Sequence, residues 1–125
     1  MARVERFEEL KIWQKAVEIA VDIFRISEVG SLKSDFSTKD QIRRSALSIS
    51  SNIAEGFEYN SHLEFLRFLK YAKGSAGELR SQLFILQKLN LIEAEFYRNK
   101  FEELEQLSKQ ISSFMKYIKE FHSKK

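Results

Sequence analysis

The sequence has no cysteine and no proline, and only four of its 125 residues are glycine. Without cysteine the chain forms no disulfide bond, and it has no thiolate for catalysis or for a cysteine-based metal site. Few residues interrupt helices, while 43% of the residues are hydrophobic. This composition favours long helices over short strands joined by turns, so we predict an all-α fold.

Long hydrophobic runs are also missing. The longest are of the kind Leu83 to Leu86, whereas a membrane span needs roughly 18 to 20 consecutive apolar residues. The N-terminal segment is rich in arginine and glutamate and lacks the apolar stretch of a secretory signal. We therefore expect a cytoplasmic protein without membrane contact.

Apolar residues recur at intervals of three and four along four segments, which is the spacing of an amphipathic helix. The strongest row lies in the third segment and consists of Phe65, Leu69, Ala72, Ala76, Leu79, Leu83 and Leu86. A short link after Asn90 makes the third and fourth helices antiparallel neighbours. We predict one domain, residues 1–125, folded as an antiparallel up-and-down four-helix bundle with helices at about 5–29, 38–56, 61–90 and 93–121.

Glycines and capping residues define the ends of these helices. Gly30 and Gly56 are predicted to end the first and second helices through a left-handed backbone. A capping box that begins at Ser37 or Thr38 is predicted to start the second helix after a loop, and Ser61 to start the third.

The first helix carries two apolar rows: Leu10, Trp13, Val17, Ala20 and Phe24, and Ile12, Ala16, Ile19, Ile23 and Ile26. This coverage is wider than the usual apolar stripe of a bundle helix, so we expect a second subunit to bury one row. Trp13 is interpreted as a core anchor rather than as a platform on which bases stack.

No motif of catalysis or metal binding is present. Di-metal sites of four-helix bundles use Glu-x-x-His pairs, and neither His62 nor His122 has a glutamate at that spacing. Phosphate-binding glycine loops, nucleophile elbows and zinc-protease helices are missing as well. We expect a protein that is not an enzyme and that uses no metal or cofactor.

Positive charge concentrates in the third helix, where residues 61–90 contain five Lys or Arg against two Glu, although the whole chain has a net charge of only +3. These cations fall outside the core row and form a basic stripe of Arg67, Lys70, Lys73, Arg80 and Lys88, which Arg43 and Arg44 of the second helix could extend. Such a stripe either binds nucleic acid or is an ordinary solvated face.

Small and polar residues mark two further surfaces. A polar row along the second helix consists of Gln41, Ser45, Ser48, Asn52 and Glu55. It is either a solvated face or a hydrogen-bonded contact with a subunit or ligand. In the third helix Gly74 and Gly77 each lower the stability of the helix by about 1 kcal/mol relative to alanine. Close approach of another helix is favoured over contact with a ligand as the reason why glycine stands at these positions.

Several of these residues carry a resemblance to a known bacterial family. Residues 41–56, which end in Asn-Ile-Ala-Glu-Gly, and the segment Ala-Lys-Gly-Ser-Ala-Gly-Glu-Leu at 72–79 are its most specific parts. Together with Phe7, Leu10 and Trp13 they resemble the four-helix-bundle family encoded in intervening sequences of large-subunit ribosomal RNA. The similarity covers nearly the whole chain, although residues 31–37 lack the proline often found before helix two.

The resemblance implies a ring-like homopentamer related to the accessory variability protein of diversity-generating retroelements, which binds nucleic acid and a reverse transcriptase. Two hypotheses follow. The first is a non-catalytic oligomeric accessory protein that binds RNA or single-stranded DNA without sequence preference through the basic stripe. The second is a protein-interaction scaffold that docks a partner through the polar row of helix two. A reverse-transcriptase-like protein is a further candidate partner.

Overall fold

The apolar rows become the inner faces of four helices in the computed structural model, which describes residues 4–123. The helices are α1 (Lys11–Ile26), α2 (Phe36–Glu58), α3 (His62–Lys88) and α4 (Ala94–Ser123). Short 3-10 turns at Phe7–Glu9 and Gly30–Ser34 precede α1 and α2. The described residues contain no strand, so the all-α prediction is confirmed for them.

The core rows of α2, α3 and α4 are largely those that the spacing predicts. Ile42, Ala46, Ile49 and Ile53 of α2 are buried, as is the row from Leu69 to Leu86. In α4 the buried residues include Leu104, Leu107, Ile111, Met115 and Ile118. Full burial of one Leu or Ile side chain contributes about 1.5 to 3 kcal/mol, so these rows supply the main stabilisation of the bundle.

Each helix packs against two neighbours, with α1 and α3 each between α2 and α4. In the pairs α2–α3 and α3–α4 the contacts run in opposite order along the chain, as they do between antiparallel helices. Ser45 and Ser48 contact Glu78 and Ser75, and Phe65 and Phe84 contact Phe114 and Tyr97.

The first helix is shorter than predicted at both ends. It begins at Lys11 because residues Phe7–Glu9 form a 3-10 turn and Leu10 is extended. It ends at Ile26, since the next turn tightens and the Ser27 hydroxyl donates to the Phe24 carbonyl oxygen at 2.7 Å. Gly30 has the expected positive φ of 62°, but it lies beyond the helix.

Both rows of α1 are covered to a large extent within one chain. Trp13 is half-buried and packs on Phe7 with ring centroids 5.2 Å apart, while the Arg43 guanidinium lies 4.5 Å from the centre of the Phe24 ring. Trp13 is therefore a packing residue at the edge of the core rather than a fully buried anchor. The expectation that a lone subunit exposes one whole row of α1 is wrong.

The ends of α2 also differ from the prediction. Asp35, rather than Ser37 or Thr38, caps the helix, and its carboxylate accepts from the Thr38 amide at 3.3 Å. The predicted loop at 31–37 is therefore mostly helical turn. Asn60, with a φ of 53°, follows the end of the helix at Glu58.

Gly56 is not a helix terminator but the point of closest approach between α2 and α3. It is buried inside α2, and a Cβ atom there would lie 2.6 Å from the Phe68 Cβ. By contrast, a Cβ at Gly74 or Gly77 would meet no described atom within 4 Å beyond its chain neighbours and the backbone of its own helix. Close helix approach within the chain, the explanation favoured for those two glycines, is therefore wrong.

The ends of α3 and α4 follow the sequence more closely. The Ser61 hydroxyl accepts from the Glu64 amide at 3.4 Å and caps α3 as predicted. Asn90 has a φ of 60° just after α3, which confirms the predicted break. Helix α4 continues to Ser123, two residues further than predicted.

Gly56→Ala should destabilise the protein by about 1 to 2 kcal/mol, because overpacking against a Cβ atom costs more than the roughly 1 kcal/mol gained in helix propensity. Gly74→Ala is the matched control and should stabilise by about 0.5 to 1 kcal/mol, since its site is open. Urea unfolding of both variants measures the difference. A Gly56→Ala protein as stable as wild type would contradict the close contact.

Candidate nucleic-acid interface

The residues of the predicted basic stripe fall into two structural groups. Lys70 and Lys88 are exposed, but Lys73 and Arg80 are half-buried between α3 and α4 instead of pointing outward. The Lys73 ammonium donates to the Ser112 hydroxyl at 2.5 Å, and the Arg80 guanidinium lies 4.6 Å from the centre of the Phe101 ring. Both cations are therefore held by contacts with α4.

Lys73 and Arg80 line an open groove of about 590 Å³ between the two helices, which we call the α3–α4 groove. Its other lining residues all come from α4 and are Glu105, Ser108, Lys109, Ser112 and Ser113. Three cations and three hydroxyl groups thus surround a groove with one carboxylate. Sequence reasoning missed Lys109 and the serines, because on α4 they look like an ordinary polar face.

Three other predicted cations have carboxylate partners, namely Arg43, Arg44 and Arg67. Arg67 donates a hydrogen bond to the Glu64 carboxylate at 2.6 Å and a second one to the Tyr71 hydroxyl. These hydrogen bonds, that to Glu64 above all, raise the pKa of Arg67. Arg44 pairs with Asp40 at 2.8 Å, four residues earlier on α2. These cations are already neutralised locally, although such exposed pairs contribute little to stability.

Arg43 does not extend the stripe, because it faces α1 instead of α3. Its guanidinium donates to the Ser27 hydroxyl at 2.8 Å and to the Glu28 carboxylate at 2.6 Å. Lys39 also pairs with Glu28. The hydrogen bond from Lys39, followed by the charges of Lys39 and Arg43, lowers the pKa of Glu28. This cluster links the end of α1 to α2.

The polar row of α2 is partly used inside the chain. The Ser45 hydroxyl donates to Glu78 at 3.1 Å, and the Ser75 hydroxyl donates to Ser48 at 2.8 Å. Asn52 donates to the Ser48 hydroxyl at 3.0 Å. The remaining two members of the row, Gln41 and Glu55, are exposed.

Lys100 is a buried cation that sequence reasoning missed. Its ammonium donates to Asp22 of α1 at 2.5 Å and to Glu103 at 3.0 Å, and the three residues line a second groove between α1 and α4. Burial opposes the charged form, but the hydrogen bonds to Asp22 and Glu103 outweigh it and raise the pKa of Lys100. Lys100 therefore serves packing of α1 on α4.

Two features are absent from the described residues. Among residues 4–123 no helix is both long and apolar enough to cross a membrane. Within the same residues, no three His, Cys, Asp or Glu side chains come together in a group that could hold a metal ion.

Comparison with known proteins shows similarity to one protein family and to solved structures. The family model described as 23S rRNA-intervening sequence protein matches residues 8–113. The crystal structure of a protein with unknown function from the S23 ribosomal protein family of Bacteroides thetaiotaomicron is similar in fold, with a TM-score of 0.75 and 28% sequence identity. That match covers 84% of this chain and 98% of the other. No curated protein matches the sequence.

Glu28→Gln should lower the thermal unfolding midpoint near pH 7, because the ion pairs of Glu28 hold its folded pKa below the ordinary value of 4.5. A carboxylate whose pKa is lowered by folding stabilises the fold at pH values above its ordinary pKa. This contribution is lost as the pH falls through the lowered pKa of the folded state. The difference from wild type should therefore shrink at about pH 3.

Glu18→Gln is the control for this prediction, since Glu18 is an exposed α1 carboxylate without an ion pair among the described residues. Its unfolding midpoint should stay close to that of wild type at both pH values. An unchanged midpoint for Glu28→Gln at neutral pH would mean that the cluster does not stabilise the fold.

Proposed function

Because the chain belongs to the family of 23S rRNA-intervening sequence proteins, we propose that it is a cytoplasmic, non-catalytic oligomeric accessory protein that binds RNA or single-stranded DNA without sequence preference. The observation that carries the proposal is the pairing state of its cations. Unpaired positive charge collects on the face formed by α3 and α4, whereas all three cations of α2 have carboxylate partners.

The unpaired cations of this α3–α4 face are Lys70, Lys73, Arg80 and Lys88 of α3 and Arg98, Lys109 and Lys119 of α4. Lys116, seven residues after Lys109, pairs with Glu120 at 3.9 Å. Arg98 lies eleven residues before Lys109, and Lys119 seven residues after Ser112, so helical periodicity puts both on the groove side of α4. Among the described residues none of these seven has a carboxylate oxygen within 4.0 Å. An unpaired cation binds a phosphate without first losing a partner, which favours an anionic ligand here.

Repetition of this face strengthens the argument. One chain with a net charge of +3 offers few phosphate contacts. In an oligomer, contacts after the first become intramolecular and raise the overall affinity by about 10² or more where the geometry allows. A reverse-transcriptase-like protein that shares the nucleic acid is a compatible additional partner.

The wild-type protein should bind fluorescently labelled RNA and single-stranded DNA of unrelated sequences with affinities that differ only about tenfold or less, because phosphate contacts carry no sequence information. Binding should weaken steeply with salt, with a slope of about 0.7 in log affinity per phosphate contact. Fluorescence anisotropy at several salt concentrations measures both properties.

Lys70→Gln and Arg44→Gln provide a matched pair of charge removals on exposed helix surfaces. Lys70 is unpaired and should matter for binding, whereas Arg44 pairs with Asp40 and should not. If wild type binds no nucleic acid at low salt, the scaffold hypothesis takes its place, with the exposed Gln41 and Glu55 as the remaining docking residues of the polar row.

The protein should form a homo-oligomer, with five times the 14.8 kDa mass of one chain as the specific expectation. Large apolar side chains are exposed at both ends of the bundle, including Phe36 at 74% and Leu63 at 67%, and association would cover such surface. Light scattering at micromolar concentration measures the mass. The mass of a single chain would contradict oligomerisation, and a dimer or tetramer would contradict the pentamer.

A further inference from the structure

We propose that the α3–α4 groove holds the sugar–phosphate backbone of one nucleic-acid strand, with Lys73, Arg80 and Lys109 as its phosphate ligands and the bases turned away from the protein. This inference rests on the proposed function and specifies the site at which it is carried out. The proposed binding site is thus not the basic stripe that the sequence predicts on α3 alone. It is a groove to which α4 contributes more residues than α3 does.

Arg80 is the most constrained of the three ligands. Its guanidinium stacks on the Phe101 ring, and its Nε is enclosed without a hydrogen-bond partner among the described residues. The enclosed Nε–H is out of reach of a ligand, so the terminal amino groups of the guanidinium are the donors for a phosphate. A guanidinium suits a phosphate well because its donors are fixed in one plane. The ring of Phe101 thus holds a donor group ready for an anion.

Lys73 and the α4 serines complete the phosphate chemistry. The Lys73 ammonium uses one of its three donors on Ser112, which fixes its position and leaves two donors for a ligand. Ser108 and Ser113 add hydroxyl groups on the same wall, next to Lys109. Ammonium, guanidinium and hydroxyl donors together are the groups that contact phosphate oxygens in nucleic-acid complexes.

The same geometry argues for a strand instead of a single small anion. Lys73 and Arg80 are seven residues apart on α3, which is about 10 Å along the helix axis and exceeds the size of one phosphate. Beyond the groove, unpaired Lys88 and Arg98 continue the positive charge near one end and Lys70 near the other. The lining residues include no aromatic ring, so the groove offers bases no aromatic stacking surface.

Glu105 is the one carboxylate that lines the groove, and it makes the proposal testable by a gain of binding. Its negative charge repels phosphates, so Glu105→Gln should tighten binding of a labelled oligothymidylate by about twofold to fivefold. A tighter complex cannot result from misfolding. An unchanged or weaker complex in this variant would overturn the placement of the strand in the groove.

The loss-of-binding test compares two variants with equal changes in charge. Lys73→Gln with Lys109→Gln removes two groove cations, whereas Lys11→Gln with Lys33→Gln removes two exposed cations outside the groove. The groove variant should bind the oligothymidylate about tenfold more weakly, with the salt slope reduced by about 1.4, and the control should stay within about twofold of wild type. Equal losses in both variants would overturn the groove but leave the proposed function standing.

A competitor without bases distinguishes backbone contacts from base contacts. An abasic strand of the same length should displace the labelled oligothymidylate about as well as the unlabelled parent strand, whereas pyrophosphate should displace it far more weakly. If the abasic strand did not displace the oligothymidylate, recognition of the backbone would be overturned. If pyrophosphate displaced it strongly, the groove would be a site for a small anion and not for a strand. Absence of any wild-type binding would instead overturn the proposed function itself.

Discussion

The close packing of α2 against α3 is the contact on which the rest of the structure depends. At Gly56 the two helices approach so closely that a Cβ atom has no room beside Phe68, and further along Ser45 and Ser48 hydrogen-bond to α3. Because α2 packs against one flank of α3 through these small residues, the opposite flank of α3 is left for α4. Lys73 and Arg80 lie on that opposite flank, so the α2–α3 contact decides where the basic groove forms.

The molecule separates cations that hold helices together from cations that are available to a ligand. Arg43 and Lys39 share Glu28 where α1 meets α2, and Lys100 joins α1 to α4 through Asp22. To bind a phosphate, any of these would first have to lose an existing partner. The net charge of the chain therefore says less about its ligands than the pairing of each cation does.

Much of the fold could be predicted from the sequence because burial follows a simple period. A residue three or four positions from a buried one lies on the same face of a helix, and the rows of α2, α3 and α4 were predicted on that basis. Helix ends were less predictable, because several nearby groups compete for the same role. Asp35 caps α2 ahead of Ser37 and Thr38, and Gly56 looks like a terminator until Phe68 is known to lie against it.

The candidate site was only half predictable for a related reason. Periodicity distinguishes the inner face of a helix from its outer face, but it does not say which neighbour borders each flank. Lys73 on the outer side of the heptad therefore looked solvated, although α4 reaches it through Ser112. Lys109 looked like part of an ordinary polar face for the same reason. A groove between two helices is made of flank residues from both, so its chemistry emerges only when the neighbours are known.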